Sequence, residues 1–107
     1  MEMSGEAVVD ATFFERSRSQ LGGAFIRLLG YFREDGVKAV TQIEEAMRAG
    51  DAAAMVTPAH RLKGEAYQFG AAHLGDLAER IELGARKCVE TREAPDELLV
   101  HVVQLAP

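Results

Sequence analysis

The sequence predicts an all-α fold, an antiparallel four-helix bundle with a short additional N-terminal helix. Two observations predict it. Alanine (17) and leucine (10) outnumber valine and isoleucine (12 together), and that balance favours helix because Ala and Leu lose little side-chain freedom there. Apolar residues also recur at helical spacing in successive segments joined by short connections, and no segment alternates at the period of a strand. A chain of 107 residues with 48% hydrophobic and 27% charged residues has the size and composition of one soluble domain around one core. Residues 1–107 are therefore read as a single helical domain.

The first helix runs from about Ala11 to Leu21, weakly amphipathic through Phe13, Phe14, Ser17 and Leu21, and Gly22-Gly23 stops it. The second, Ala24 to Ala49, keeps Phe25, Leu28, Leu29, Phe32, Ala39, Val40, Ile43, Ala46 and Met47 within one face. Its phase survives Asp35-Gly36, so one long helix is expected, with Gly36 a place for a bend or a close neighbour. Gly50 closes it. Asp51 is an N-cap for the third helix, which reaches about Phe69; Pro58 inside it predicts either a bend or a restart with Thr57 as N-cap. Gly70 ends the third helix, and the fourth, Ala72 to Cys88, puts Leu74, Leu77, Ala78, Ile81, Ala85 and Cys88 on one face. A fifth, short helix begins near Pro95-Asp96 with Leu98, Val102 and Leu105 on one stripe.

Charge and cysteine usage narrow the function classes. Seventeen acidic against twelve basic residues leave a formal net charge of −5, and no Lys/Arg-rich run supplies the footprint of a nucleic-acid binder. There is no apolar run long enough to span a membrane and no secretory signal pattern. The single cysteine, Cys88, forms no disulfide within the chain, and its apolar face assigns it to the core. The setting read from these features is reducing and cytoplasmic. No metal site is expected: His73 and His101 lie far from His60 in sequence, no H-E-x-x-H occurs, and both histidines are read as structural or surface residues.

Projected at helical spacing, Met55, Ala59, Leu62, Ala66 and Phe69 form the buried side of the third helix. The other side gathers Val56, His60, Lys63, Gly64 and Tyr67, which places an imidazole one turn from a cation and from a glycine on a face that packing does not require. That arrangement suits a phosphoryl acceptor. A neutral imidazole nitrogen is nucleophilic near neutral pH without a separate base. Lys63 balances phosphate charge, and Gly64 leaves room for the phosphoryl group and a partner loop at a helical cost of about 1 kcal/mol. On spacing alone, the same residues also fit an ordinary decorated surface.

The stretch Ala59-His60-Arg61-Leu62-Lys63-Gly64-Glu65-Ala66, continued by Gly70-Ala71, Leu74, Leu77-Ala78 and Ile81-Glu82, closely resembles the signature of histidine-containing phosphotransfer (HPt) domains. Gln20-Leu21-Gly22, the long second helix with Phe32, and Ala49-Gly50-Asp51 resemble the usual lead-in, so most of the chain is covered. The resemblance implies an HPt-like bundle in which His60 is phosphorylated, Lys63 faces the phosphate, Gly64 opens access, and Glu82 hydrogen-bonds and orients the imidazole; alternatively Glu82 is a surface carboxylate. Arg86, one turn on, is expected to pair with Glu82 rather than with phosphate.

Departures from the pattern are Glu65 in place of a small residue, Pro58 two residues before the histidine, and a short last helix. Glu65 projects about 140° from His60 and is expected to leave the site alone. The implied partners are receiver domains of response regulators or hybrid kinases, with Mg²⁺ in the receiver and no cofactor on this chain, which is expected to be a monomer. Val56 and Tyr67 are candidate docking residues, though the Tyr67 ring also fits a place half-packed on the bundle. With no phosphate-binding Gly-rich loop, ATP-dependent autophosphorylation is not expected. Two other readings stay open: a receiver-binding adaptor that carries no phosphate, and the phosphoacceptor fragment of a chemotaxis-type kinase.

Overall fold

Apolar residues at helical spacing build the first long element, α1 (Gly23–Arg48), in the computed structural model, which describes residues 23–105. The helix expected over Ala11–Leu21 lies outside the described residues. Phe32, Ala39, Ile43 and Ala46 form the buried stripe of α1, as the unbroken phase predicts. A Cβ built on Gly36 would meet only Leu62 Cδ1, at 4.0 Å. The close approach expected at Gly36 is therefore ordinary contact that an alanine would also make.

The three helix ends share one device. Gly50 adopts φ 67°, with its N–H bonded to the Met47 carbonyl (3.0 Å) and that of Asp51 to Ala46 (2.9 Å); this is the paired termination that a left-handed residue allows. Gly70 (φ 75°) repeats it at the end of α2 (Ala52–Gln68), through Gly70 to Tyr67 and Ala71 to Ala66. The third case, at the end of α3 (Ala72–Thr91), has no glycine: Arg92 takes φ 58° while Glu93 N–H reaches the Cys88 carbonyl at 2.9 Å. No glycine marks that end, and α3 runs three residues past the Cys88 expected from the apolar pattern.

Asp51 caps α2 as expected, its carboxylate accepting from the Ala54 N–H at 3.1 Å. The expected restart at Thr57 does not occur: α2 runs through Pro58, whose ring is buried. The carbonyl that Pro58 cannot bond belongs to Ala54, an exposed residue in the first turn rather than a buried one.

Short connections fold α1, α2 and α3 into consecutive antiparallel hairpins, and α2–α3 is the most extensive interface. The fourth layer is a composite. A 3₁₀ turn (Asp96–Leu98), one α-turn that we label α4 (Leu99–Val102) and a second 3₁₀ turn (Val103–Leu105) bury Leu98, Val102 and Leu105, the stripe the sequence predicts. Leu98 sits directly on Gly84, where any Cβ would overlap its Cδ2. All described elements are helical, and among them none is long and apolar enough to cross a membrane.

Candidate functional site

Ala59 and Ala66 on α2 and Ala78 and Ala85 on α3 are fully buried, and these two helices share the most extensive interface. Small side chains let the two axes come close. Glu82 of α3 then reaches α2 with its two-methylene arm, and only 3% of the residue is exposed. A carboxylate so deeply placed requires partners, and three residues supply them.

His60 Nδ1 lies 2.9 Å from Glu82 Oε2. An ionised carboxylate only accepts, so Nδ1 carries the proton and donates it. The lone pair of the ring is thereby assigned to Nε2, on a side chain that is 63% exposed. Arg86 donates to the same Oε2 from Nε (3.2 Å) and Nη2 (2.9 Å), the i,i+4 pair expected for it. Lys63 Nζ stands 2.9 Å from Oε1 as an ion pair but off the angles of a hydrogen bond.

Burial by itself would raise the Glu82 carboxyl. The close Lys63 ammonium and the hydrogen bonds from Arg86 and His60 outweigh burial and hold the group down at about 2. Two cations against one carboxylate leave a net positive charge beside the imidazole. Gly64, one turn along α2, is exposed, and nothing lies within 4 Å of where its Cβ would stand. No internal contact accounts for a glycine there, and the space it leaves opens onto solvent beside His60.

The structure thus brings His60, Lys63, Glu82 and Arg86 together, with Gly64 at the edge. The docking candidates fare differently. Val56 is half-buried and packs against the core, so it offers a partner less apolar area than its helical position predicts. Tyr67 remains 43% exposed, yet its ring lies over Gly75 and its hydroxyl donates to Asp76 Oδ1 at 2.5 Å. That hydrogen bond, with desolvation and the charges of Asp76 and Glu79, pushes the phenol up to about 12. The available signal was Gly75 itself, a helix-disfavouring residue on the amphipathic α3 whose Cβ would collide with the Tyr67 ring.

Glu65 points away from His60 but is not an idle surface residue. It is half-buried against α1 with Oε1 lacking a partner. Burial, then the hydrogen bond and charge of Asp35, raise its carboxyl, against a smaller opposing effect of Arg61. Arg61 also reaches Gln42 Oε1 of α1 at 3.2 Å. These α1 partners leave no periodic trace in the sequence.

Among the described residues no three His, Cys, Asp or Glu side chains converge as a metal site. His73 is exposed, His101 is half-buried, and Cys88 is buried with Sγ 3.8 Å from the Ala94 carbonyl.

Comparison with known proteins adds a family to this geometry. The Hpt domain family matches residues 27–105, more than half of the chain and the whole of the constellation around His60. No curated protein and no solved structure matches the chain. Hpt domains serve histidine phosphotransfer in two-component signalling and interact there with receiver domains. From its helical bundle, its central histidine and the extent of the match, this chain belongs to the Hpt domain family.

Proposed function

We propose that this protein is a phosphoryl carrier of a multi-step relay, accepting the group on His60 Nε2 from a receiver domain's aspartyl phosphate and passing it to another receiver. The observation that carries the reading is the Nδ1 contact with Glu82, which leaves Nε2 as the free nucleophile on an exposed side chain.

In the forward step the Nε2 lone pair forms the N–P bond while the P–O bond to the aspartate breaks, and the carboxylate departs with its electron pair. The Nδ1 proton stays on the ring throughout, held by Glu82. Transfer to the next receiver reverses these bonds. Catalysis of this kind rests on positioning and charge. Glu82 fixes the ring, and Lys63, whose link to Oε1 is an ion pair without hydrogen-bond alignment, is free to turn to the phosphoryl oxygens. The receiver contributes its own acidic pocket and Mg²⁺, and this chain binds no cofactor and carries out no ATP-dependent autophosphorylation. We place it in the cytoplasm as a monomer that docks receivers through a small surface around His60, with Tyr67 and the exposed part of Val56 at its margin.

The test is transfer from a panel of labelled phospho-receivers to the protein and to His60→Gln. Acid-labile, base-stable label on the native chain and none on the variant establishes the carrier, and the fastest donor identifies the branch of signalling. If receivers bind the folded protein and none transfers label, the carrier reading falls and a receiver-binding adaptor replaces it.

A further inference from the structure

The two sides of His60 on α2 differ. Toward α3, Lys63 stands about 60° round the helix from the histidine, and Glu82 takes the ring's Nδ1 with Arg86 on the same carboxylate oxygen. The groups that orient the imidazole close that side. The other way round, toward α1, Gly64 lies about 40° and Arg61 about 100° from His60. Because the two ring nitrogens face opposite edges of the imidazole, the bond from Nδ1 to α3 turns Nε2 away from α3. A partner that reaches Nε2 over the open position at Gly64 therefore approaches on the side where Arg61 stands.

Arg61 is exposed, and its Nη2 donates to Gln42 Oε1 of α1 at 3.2 Å. That partner is neutral, and among the described residues Arg61 enters no ion pair. A carboxylate is within sequence reach: Glu65 follows at the i,i+4 spacing. Glu65, however, is half-buried against α1, where it meets Asp35, and Arg61 acts on it only through a weak charge effect. The guanidinium is thus held at the surface by one donor, with the rest of its planar fork open to a carboxylate. Lys63 and Arg86 already outnumber Glu82, and Arg61 adds a third cation at the rim of His60, on a chain of net charge −5. A positive island on an acidic protein speeds encounter with an acidic face and turns away a basic one.

We propose that Arg61 is a specificity-determining residue, pairing with a carboxylate on the rim of the docking receiver and steering that acidic face onto His60. The inference rests on the carrier reading for the identity of the partner. Lys63 and Arg86 are tied to Glu82, whereas Arg61 is tied to α1. Its effect therefore belongs to association and not to the chemistry at Nε2.

The receiver that transfers fastest in the labelled panel, or that binds tightest if none transfers, is mixed with the native protein, Arg61→Gln, Arg61→Glu and Arg61→Lys, and association is followed by stopped flow at low and high salt. In a second arm phosphoramidate labels His60 with no protein partner, the N–P bond to Nε2 forming as the reagent's own P–N bond breaks and ammonia leaves. Arg61→Gln is expected to slow association about fivefold and Arg61→Glu about tenfold or more, both differences shrinking as salt rises. Arg61→Lys keeps the charge and recovers most of the rate. The loss with the receiver should exceed the loss with phosphoramidate by about threefold or more. Association that is indifferent to the charge at position 61, or equal losses in the two arms, overturns the proposal and leaves the carrier reading standing. Receivers that bind without transferring label overturn the carrier reading instead, and the association arm then decides the role of Arg61 by the same criterion.

Discussion

Replacing Glu82 by glutamine probes the electrostatic centre of the site. The carboxyl sits at about 2 in the fold against an ordinary 4.5, a difference worth on the order of 3 kcal/mol. Because folding favours the ionised form, this stabilisation is complete above the unfolded value and is lost as pH falls from 4.5 towards 2. Glutamine keeps the length of the side chain and a carbonyl for the His60 Nδ1–H, but it leaves Lys63 and Arg86 without a counter-charge. Both cations are partly exposed, at 24% and 55% of their side chains, so solvent offsets part of the loss. We expect Glu82→Gln to cost about 1–3 kcal/mol at pH 7, a fall of roughly 5–15 °C in the thermal midpoint of a domain this size. Thermal denaturation of both proteins across a pH series from neutral to strongly acidic measures it. The gap between them should narrow through the acid range and close near the folded value of Glu82. A gap that stays constant with pH would refute the reasoning, because it would assign the loss to packing or to hydrogen bonds rather than to charge.

Two further outcomes follow from the geometry around His60. With nothing near the missing Cβ, Gly64→Ala should raise stability by about 1 kcal/mol in thermal melts. Gly64→Leu, equally well folded, should slow transfer from a phospho-receiver by roughly tenfold or more, about 1.4 kcal/mol of barrier; an unchanged rate would remove the steric role assigned to this residue. The Tyr67 phenol should stay protonated until about pH 12, chiefly through its hydrogen bond to Asp76, and phenolate absorbance in Asp76→Asn should appear at lower pH. Its contribution to stability is present below the ordinary phenol value of 10 and is lost as pH rises through 12.

The parts of the fold legible in the sequence were those whose physics is local. Gly50 and Gly70 end helices because a left-handed residue lets two carbonyls be satisfied at once, and each glycine announces that position. Arg92 does the same work at the end of α3 with a residue that announces nothing, so the apolar pattern puts that end a turn early. Pro58 suggests a break from local rules alone, whereas the hydrogen bond it removes falls at Ala54, an exposed residue in the first turn, and the helix runs on.

The candidate site divides along the same line. His60, Lys63 and Gly64 lie on one face of one helix, so helical spacing suffices to group them and to suggest phosphate chemistry. Glu82 belongs to another helix, and nothing in the periodicity of α3 says that its carboxylate meets an imidazole 22 residues earlier. Only the resemblance to HPt domains paired them. The physical reason is the register of α2 against α3, which brings Glu82 Oε2 to 2.9 Å from His60 Nδ1. Where no motif spans two helices, the neighbour stays hidden: the angle of Glu65 to His60 says nothing of its encounter with Asp35 of α1. Periodicity gives the direction in which a side chain leaves its own helix. What it meets is decided by interhelical register, so a carboxylate such as Glu65 can look solvated from its own sequence while burial and a second carboxylate raise its pKa.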